Sequence, residues 1–277
     1  MKEKQSGGKN KFIKDKYQFD LEKHLHSLGE RPLTGTSSVG SVLAKPLTWW
    51  ASGMAVGKFG WLNPKKAGDD ERMITASTRF SEIKELDNDE YLKLLDEAYR
   101  AHNERKNEAA EEGINLHAEL EKYVKSQMGI MQEMSLELLP RLQSFMVWAK
   151  VNVKRFLYSE AHCYSERLWV GGITDAGAEM NDGRIAVIDF KSSREAYPNQ
   201  FVQAAGYALQ IDENGLFDAS GKRIKILDKK INSLIIIPFG AKEIVPEIRN
   251  DYEVEEYKKG FEAAVVLYRL LGLEKTK

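Results

Sequence analysis

The residues with the clearest chemical meaning fall within 171–210, GGITDAGAEMNDGRIAVIDFKSSREAYPNQFVQAAGYALQ. Asp175 and Asp189 offer carboxylates, Lys191 an ammonium, and Gln203 and Tyr207 polar side chains further on. Hard divalent cations take oxygen ligands. A lysine beside such an ion can act on the charge of a phosphate. Two carboxylates and a lysine at a strand end therefore suggest a divalent-metal phosphodiesterase site.

These side chains must be brought together by strands and a helix. Residues 184–190, RIAVIDF, form a nearly unbroken apolar run rich in β-branched types. Such a run fits a strand buried on both faces. Asn181-Asp182-Gly183 is a hairpin signal, since these residues tolerate positive φ. Side chains alternate along a strand, so Asp189 and Lys191 share one side and Ile188 and Phe190 the other. If the hairpin pairs, Asp175 approaches Asp189. Pro198 suits a helix start, and the helical spacing after it puts Gln203 and Tyr207 on one face.

Upstream, 114–124 has helical spacing that aligns Ile114, His117, Glu121 and Val124, with Gly113 interrupting the helix before it. A histidine in such a place is commonly structural. Ahead of a carboxylate–lysine strand, a metal role is the expectation for His117, because imidazole is the usual extra ligand of a manganese-tolerant oxygen site. Glu121 reads as supporting or structural. Glu160 and Glu166 lie in or beside a first strand at 156–169, where either one faces the site or both are solvated edge residues.

The 277 residues suit one large domain or two small ones. The composition, 42% hydrophobic and 30% charged, is that of a globular chain. A net charge of −1 excludes global basicity as the source of nucleic-acid affinity, leaving local patches. The single cysteine, Cys163, excludes an internal disulfide and a four-cysteine iron–sulfur cluster within the chain. No run is apolar and long enough to span a bilayer, and the start lacks a signal-peptide core, so the expected setting is soluble and cytoplasmic. Residues 1–30 read as a disordered basic tail or a DNA-gripping arm, 31–112 as a helical N-terminal region, and 113–277 as the core. Trp49, Trp50 and Trp61 either stack on bases or pack a helical layer. Lys222, Arg223, Lys225, Lys229 and Lys230 form either a phosphate-tracking patch or a solvated hairpin. Strands are expected at 232–239 and 242–249, the latter an edge because of Pro246. An amphipathic helix is expected to close the chain at 251–273.

The order His117, Gly172-Ile173-Thr174-Asp175, Asp189-Phe190-Lys191, Gln203-x-x-x-Tyr207 resembles the RecB-like branch of the PD-(D/E)XK nuclease superfamily, and within it phage and mitochondrial genome-maintenance exonucleases. The motifs cover 113–210, and VGSVLAKPLTWWAS resembles the N-terminal segment of phage members more loosely. Thr174 stands where the family's proline is usual. The resemblance implies an α/β restriction-endonuclease-like core, a central mixed sheet flanked by helices, with an N-terminal helical layer. It implies that Asp175, Asp189, His117 and the Phe190 carbonyl bind Mg²⁺ or Mn²⁺, that Lys191 acts on the attacking water, and that Gln203 and Tyr207 orient Lys191 or hold a phosphate oxygen. The iron–sulfur cluster of some relatives is not expected. The implied activity is metal-dependent DNA exonuclease action in phage replication, recombination or repair, on DNA with single-stranded ends. A structure-specific endonuclease and an inactive DNA-binding module are the alternatives.

Overall fold

The computed structural model describes residues 16–43, 48–132, 139–240 and 243–274. It divides into two compact units, one of 1–42 with 121–277 and one of 43–120. These boundaries differ from the expected ones at 30 and 112. Much of the supposed tail is structured: β1 (Tyr17–Asp20) and β2 (Leu25–Leu28) form a hairpin whose Tyr17 and Leu28 are buried. Alternating large side chains in short runs carry these strands, beneath a lysine-rich composition. Residues 1–15 lie outside the described range. β3 (Arg31–Pro32), β4 (Thr34–Gly35) and a five-residue helix α1 (Thr36–Gly40) follow.

The second unit is helical, with α2 (Thr48–Gly57), α3 (Asp69–Ile83) and most of α4 (Asn88–Gln127). Arg79 Nε donates to the Lys58 carbonyl at 2.8 Å, tying α3 to the end of α2. Asp87 and Glu90 cap α4 reciprocally, through Glu90 N–H to Asp87 Oδ1 at 2.8 Å and Asp87 N–H to Glu90 Oε2 at 3.0 Å. α4 runs unbroken through Gly113, against expectation. A single glycine costs a helix only about 1 kcal/mol, which a forty-residue hydrogen-bonded ladder absorbs.

The first unit resumes with α5 (Leu139–Asn152), β5 (Val153–Ser165), β6 (Val170–Met180), β7 (Ile185–Lys191), α6 (Pro198–Asn214), β8 (Leu216–Phe217), β9 (Arg223–Lys225), β10 (Ser233–Pro238), β11 (Glu247–Asn250) and α7 (Tyr252–Leu270). The eight-stranded sheet has the order β11-β10-β7-β6-β5-β8-β9, with β4 pairing β6. It is mixed: β10 runs parallel to β7, and β4 to β6, while the other pairs are antiparallel. β7 is an interior strand, buried from Ile185 to Phe190, as its apolar run requires. Ile185 and Val187 pack under α6, in a cluster with Phe201, Ala204 and Ala208. Phe190, of opposite parity, meets Phe145 of α5 and Phe239. The chain is thus an α/β protein with helices against a mixed sheet. No helix among the described residues is long and apolar enough to cross a membrane.

Candidate functional site

The β6–β7 hairpin turns at the expected place. Gly183 has φ +85°, and Met180 N–H donates to the Arg184 carbonyl at 2.8 Å. The ladder then runs from Glu179↔Ile185 to Ala176↔Ile188. Continued by one pair, it sets Asp175 opposite Asp189. There a side chain replaces the backbone partner: Phe190 N–H donates to Asp175 Oδ2 at 2.7 Å. In a strand the N–H and C=O of one residue point the same way. The Phe190 carbonyl is therefore directed toward Asp175 rather than toward β10.

Asp189 is 2% exposed and pairs with Lys191, Oδ2 to Nζ 2.7 Å. Alternation along β7 puts both on the α6 side. From Lys191 the contacts continue onto α6. Nζ reaches Gln203 Oε1 at 3.5 Å, and Gln203 Nε2 donates to the Tyr207 hydroxyl at 2.8 Å. α6 starts at Pro198 as expected, its first turn fastened by Tyr197 N–H to Gln200 Oε1 at 2.9 Å. One helical turn separates Gln203 from Tyr207, which is why they meet.

The electrostatics follow from this packing. Burial disfavours the Lys191 charge, but the carboxylates of Asp189 and Asp175 outweigh it and hold the ammonium above the ordinary lysine range. Burial, then the charge of Asp189, holds the Tyr207 phenol well above its usual range, so it keeps its proton. The charges of both aspartates act on Lys191 and on Tyr207, so the two carboxylates serve one locality.

Of the two strand glutamates left open by the sequence, Glu160 is the one that faces Asp175. An oxygen of Glu160 and one of Asp175 lie within 4.8 Å of each other. In the β5–β6 ladder Ser159 faces Ala176 and Ala161 faces Thr174, so Glu160 stands across from Asp175. Its φ of +46° lies in the left-handed region, which a glutamate adopts only at a cost. Face alternation breaks there, because Tyr158 and Ala161 both belong to the cluster under α6. Only the cross-strand register singles out Glu160, and that is not local information.

His117 lies on α4 in the second unit, half-buried. Glu121 pairs with Lys125 on its own helix. Trp49 and Trp50 lie on α2, Trp49 at 90% exposure, so neither forms a buried packing face. Part of the basic cluster serves the protein itself. The Arg223 guanidinium lies over the Phe217 ring at 5.4 Å, and Lys225 Nζ donates to the Leu157 carbonyl at 3.3 Å. Lys222 is exposed beyond them on the β8–β9 turn. Compared with known proteins, the chain matches no protein-family model and no curated protein.

Proposed function

We propose that the chain is a metal-dependent phosphodiester hydrolase acting on DNA, with a site of the RecB-like PD-(D/E)XK kind and exonuclease action. The observation that carries this reading is the close Glu160–Asp175 carboxylate pair beside the Asp189–Lys191 ion pair. Carboxylates and a strand carbonyl make a hard oxygen donor set, which fits Mg²⁺ or Mn²⁺. Asp175, Glu160, Asp189 and the Phe190 carbonyl are the groups to hold such an ion, and His117 is the imidazole that the sequence adds to them. The chemistry such an ion supplies is neutralisation of phosphate charge and activation of water.

The chain's own residues complete the reading. Lys191 is an ammonium at neutral pH. Its part is to stabilise negative charge building on the phosphate and to orient the attacking water. Gln203 and Tyr207 hold that ammonium from the α6 side. The segment over Tyr207 is tightly built. A Cβ at Gly172 would stand 2.7 Å from the Tyr207 ring, so this glycine leaves the space the tyrosine fills.

The test is cleavage of end-labelled single- and double-stranded DNA with Mg²⁺ or Mn²⁺, alongside a closed single-stranded circle. The wild type should digest the linear strands and spare the circle. Asp189→Asn and Lys191→Ala should abolish digestion with unchanged circular dichroism. Digestion of the circle would indicate an endonuclease, and undiminished cleavage by both variants would remove the site.

A further inference from the structure

The β1–β2 hairpin and β3 form a small antiparallel sheet separate from the main one. It is held to the rest of its unit largely by side chains. Tyr17, Leu28 and Leu33 pack on Tyr164 and Phe217, and the Tyr17 ring stacks on Tyr164 with centroids 5.0 Å apart. At the centre the Tyr17 hydroxyl lies 2.6 Å from His26 Nδ1 and 3.2 Å from His162 Nδ1. Phe19 adds its ring to both imidazoles, at 4.7 and 4.6 Å between centroids. The same hairpin walls a cavity of about 480 Å³, through Lys23, His24 and His26, and Tyr207 borders that cavity within.

His26 is the vulnerable point. It is buried. The titratable groups facing it are Tyr17 from β1, His24 from its own hairpin and His162 from β5. Asp218 bears on His162 and not on His26. A proton on His26 would thus be buried among two other imidazoles and a phenol, and among the described residues the charges that bear on it are those of His162 and His24.

We propose that the β1–β2 hairpin is a proton-sensitive wall of the cavity behind Tyr207, docked while His26 is neutral and released when His26 takes up a proton. Burial, then the neighbouring His162 and His24, lower the docked His26 to about 3. A free hairpin would return it to about 6.5. Docking is therefore complete above pH ~6.5 and weakens as pH falls toward the docked value, by up to about tenfold in the docking equilibrium per pH unit. Local opening of a thinly anchored segment needs no unfolding of the core.

The experiment is hydrogen–deuterium exchange of the full chain from pH 8 to pH 5, corrected for intrinsic rates and read by peptide. Residues 17–33 should lose protection progressively below pH 6.5 while peptides from α6 and β10 keep theirs. In His26→Gln, or in His26→Phe should the first variant fail to dock at pH 8, the pH dependence of protection at 17–33 should shrink to what His162, also lowered by burial, contributes. Flat protection of 17–33 in the wild type, loss shared equally by α6 and β10, or an unchanged pH slope in a docked His26 variant would each overturn the proposal.

Discussion

Replacing Gly172 with alanine places a methyl 2.7 Å from Tyr207 Cε1, 2.8 Å from Thr36 Oγ1 and 3.0 Å from Thr36 Cβ. Carbon atoms settle at about 3.5–4.0 Å, so one neighbour must retreat by roughly 1 Å. Neither has slack. Thr36 is buried, donates to the Gly171 carbonyl at 3.0 Å and accepts from Gln210 Nε2 at 2.8 Å. Tyr207 is buried and tied to Gln203. Overpacking costs about 1–3 kcal/mol, and two crowded, hydrogen-bonded neighbours put this case at about 2–3 kcal/mol. That corresponds to a fall of about 4–12 °C in Tm. Gly40→Ala is the control. It adds its methyl to α1 with nothing within 4 Å, and a helical Gly→Ala change should stabilise by about 0.5–1 kcal/mol. Thermal melts followed by circular dichroism compare the two. If Tyr207 is the neighbour that yields, a shift of that size also breaks its 2.8 Å bond to Gln203 and loosens the hold on Lys191. On the proposed function, cleavage then falls more than stability alone explains. A Gly172→Ala protein within about 0.5 kcal/mol of wild type would show that this packing reasoning is wrong.

The raised folded pKa of Lys191 contributes stability that is complete below about 10.5 and is lost only as pH rises through the higher folded value. A pH titration of stability in the metal-free protein should therefore show no ionisation of Lys191 between about pH 6 and 10; an alkaline loss of stability centred near 9 that disappears in Lys191→Arg would contradict this. Glu160→Asn should leave metal-free Tm unchanged or raise it, because asparagine tolerates the left-handed backbone at φ +46°. It should also shrink the rise in Tm on adding Mn²⁺, and an undiminished Mn²⁺ shift would remove Glu160 from the cation site. Gly183→Ala meets no neighbour within 4 Å, yet forces a side chain to φ +85°. Its cost, about 1–2 kcal/mol, should appear in urea melts, and Gly183→Asn should recover part of it.

The centre of the fold was legible because its signals are local. The β-branched run of β7, the Asn181-Asp182-Gly183 turn and Pro198 each mark an element within a few residues of themselves, and each lies where expected. Period-two alternation alone put Asp189 and Lys191 on one side, where their ion pair forms. The β1–β2 hairpin was hidden because its strands are four residues each, too short for periodicity to stand out from a lysine-rich background. Gly113 misled because a glycine's modest local cost was weighed without the long helix around it.

Glu160 shows why the carboxylate set was only partly readable. Simple alternation along β5 gives Tyr158, Glu160 and His162 one face. The folded strand instead sends Tyr158 and Ala161 toward α6, and His162 toward Tyr17. The left-handed backbone at Glu160 is where that exchange occurs, and it is also where an oxygen of Glu160 comes within 4.8 Å of Asp175. A strand that kept its regular twist would gain the backbone energy forfeited at this residue. The strain persists because cross-strand pairing on both sides, Ser159 with Ala176 and Ala161 with Thr174, fixes the register around it. Two carboxylates brought this close offer oxygens to one cation, so the Glu160→Asn protein should bind Mn²⁺ more weakly than the wild type.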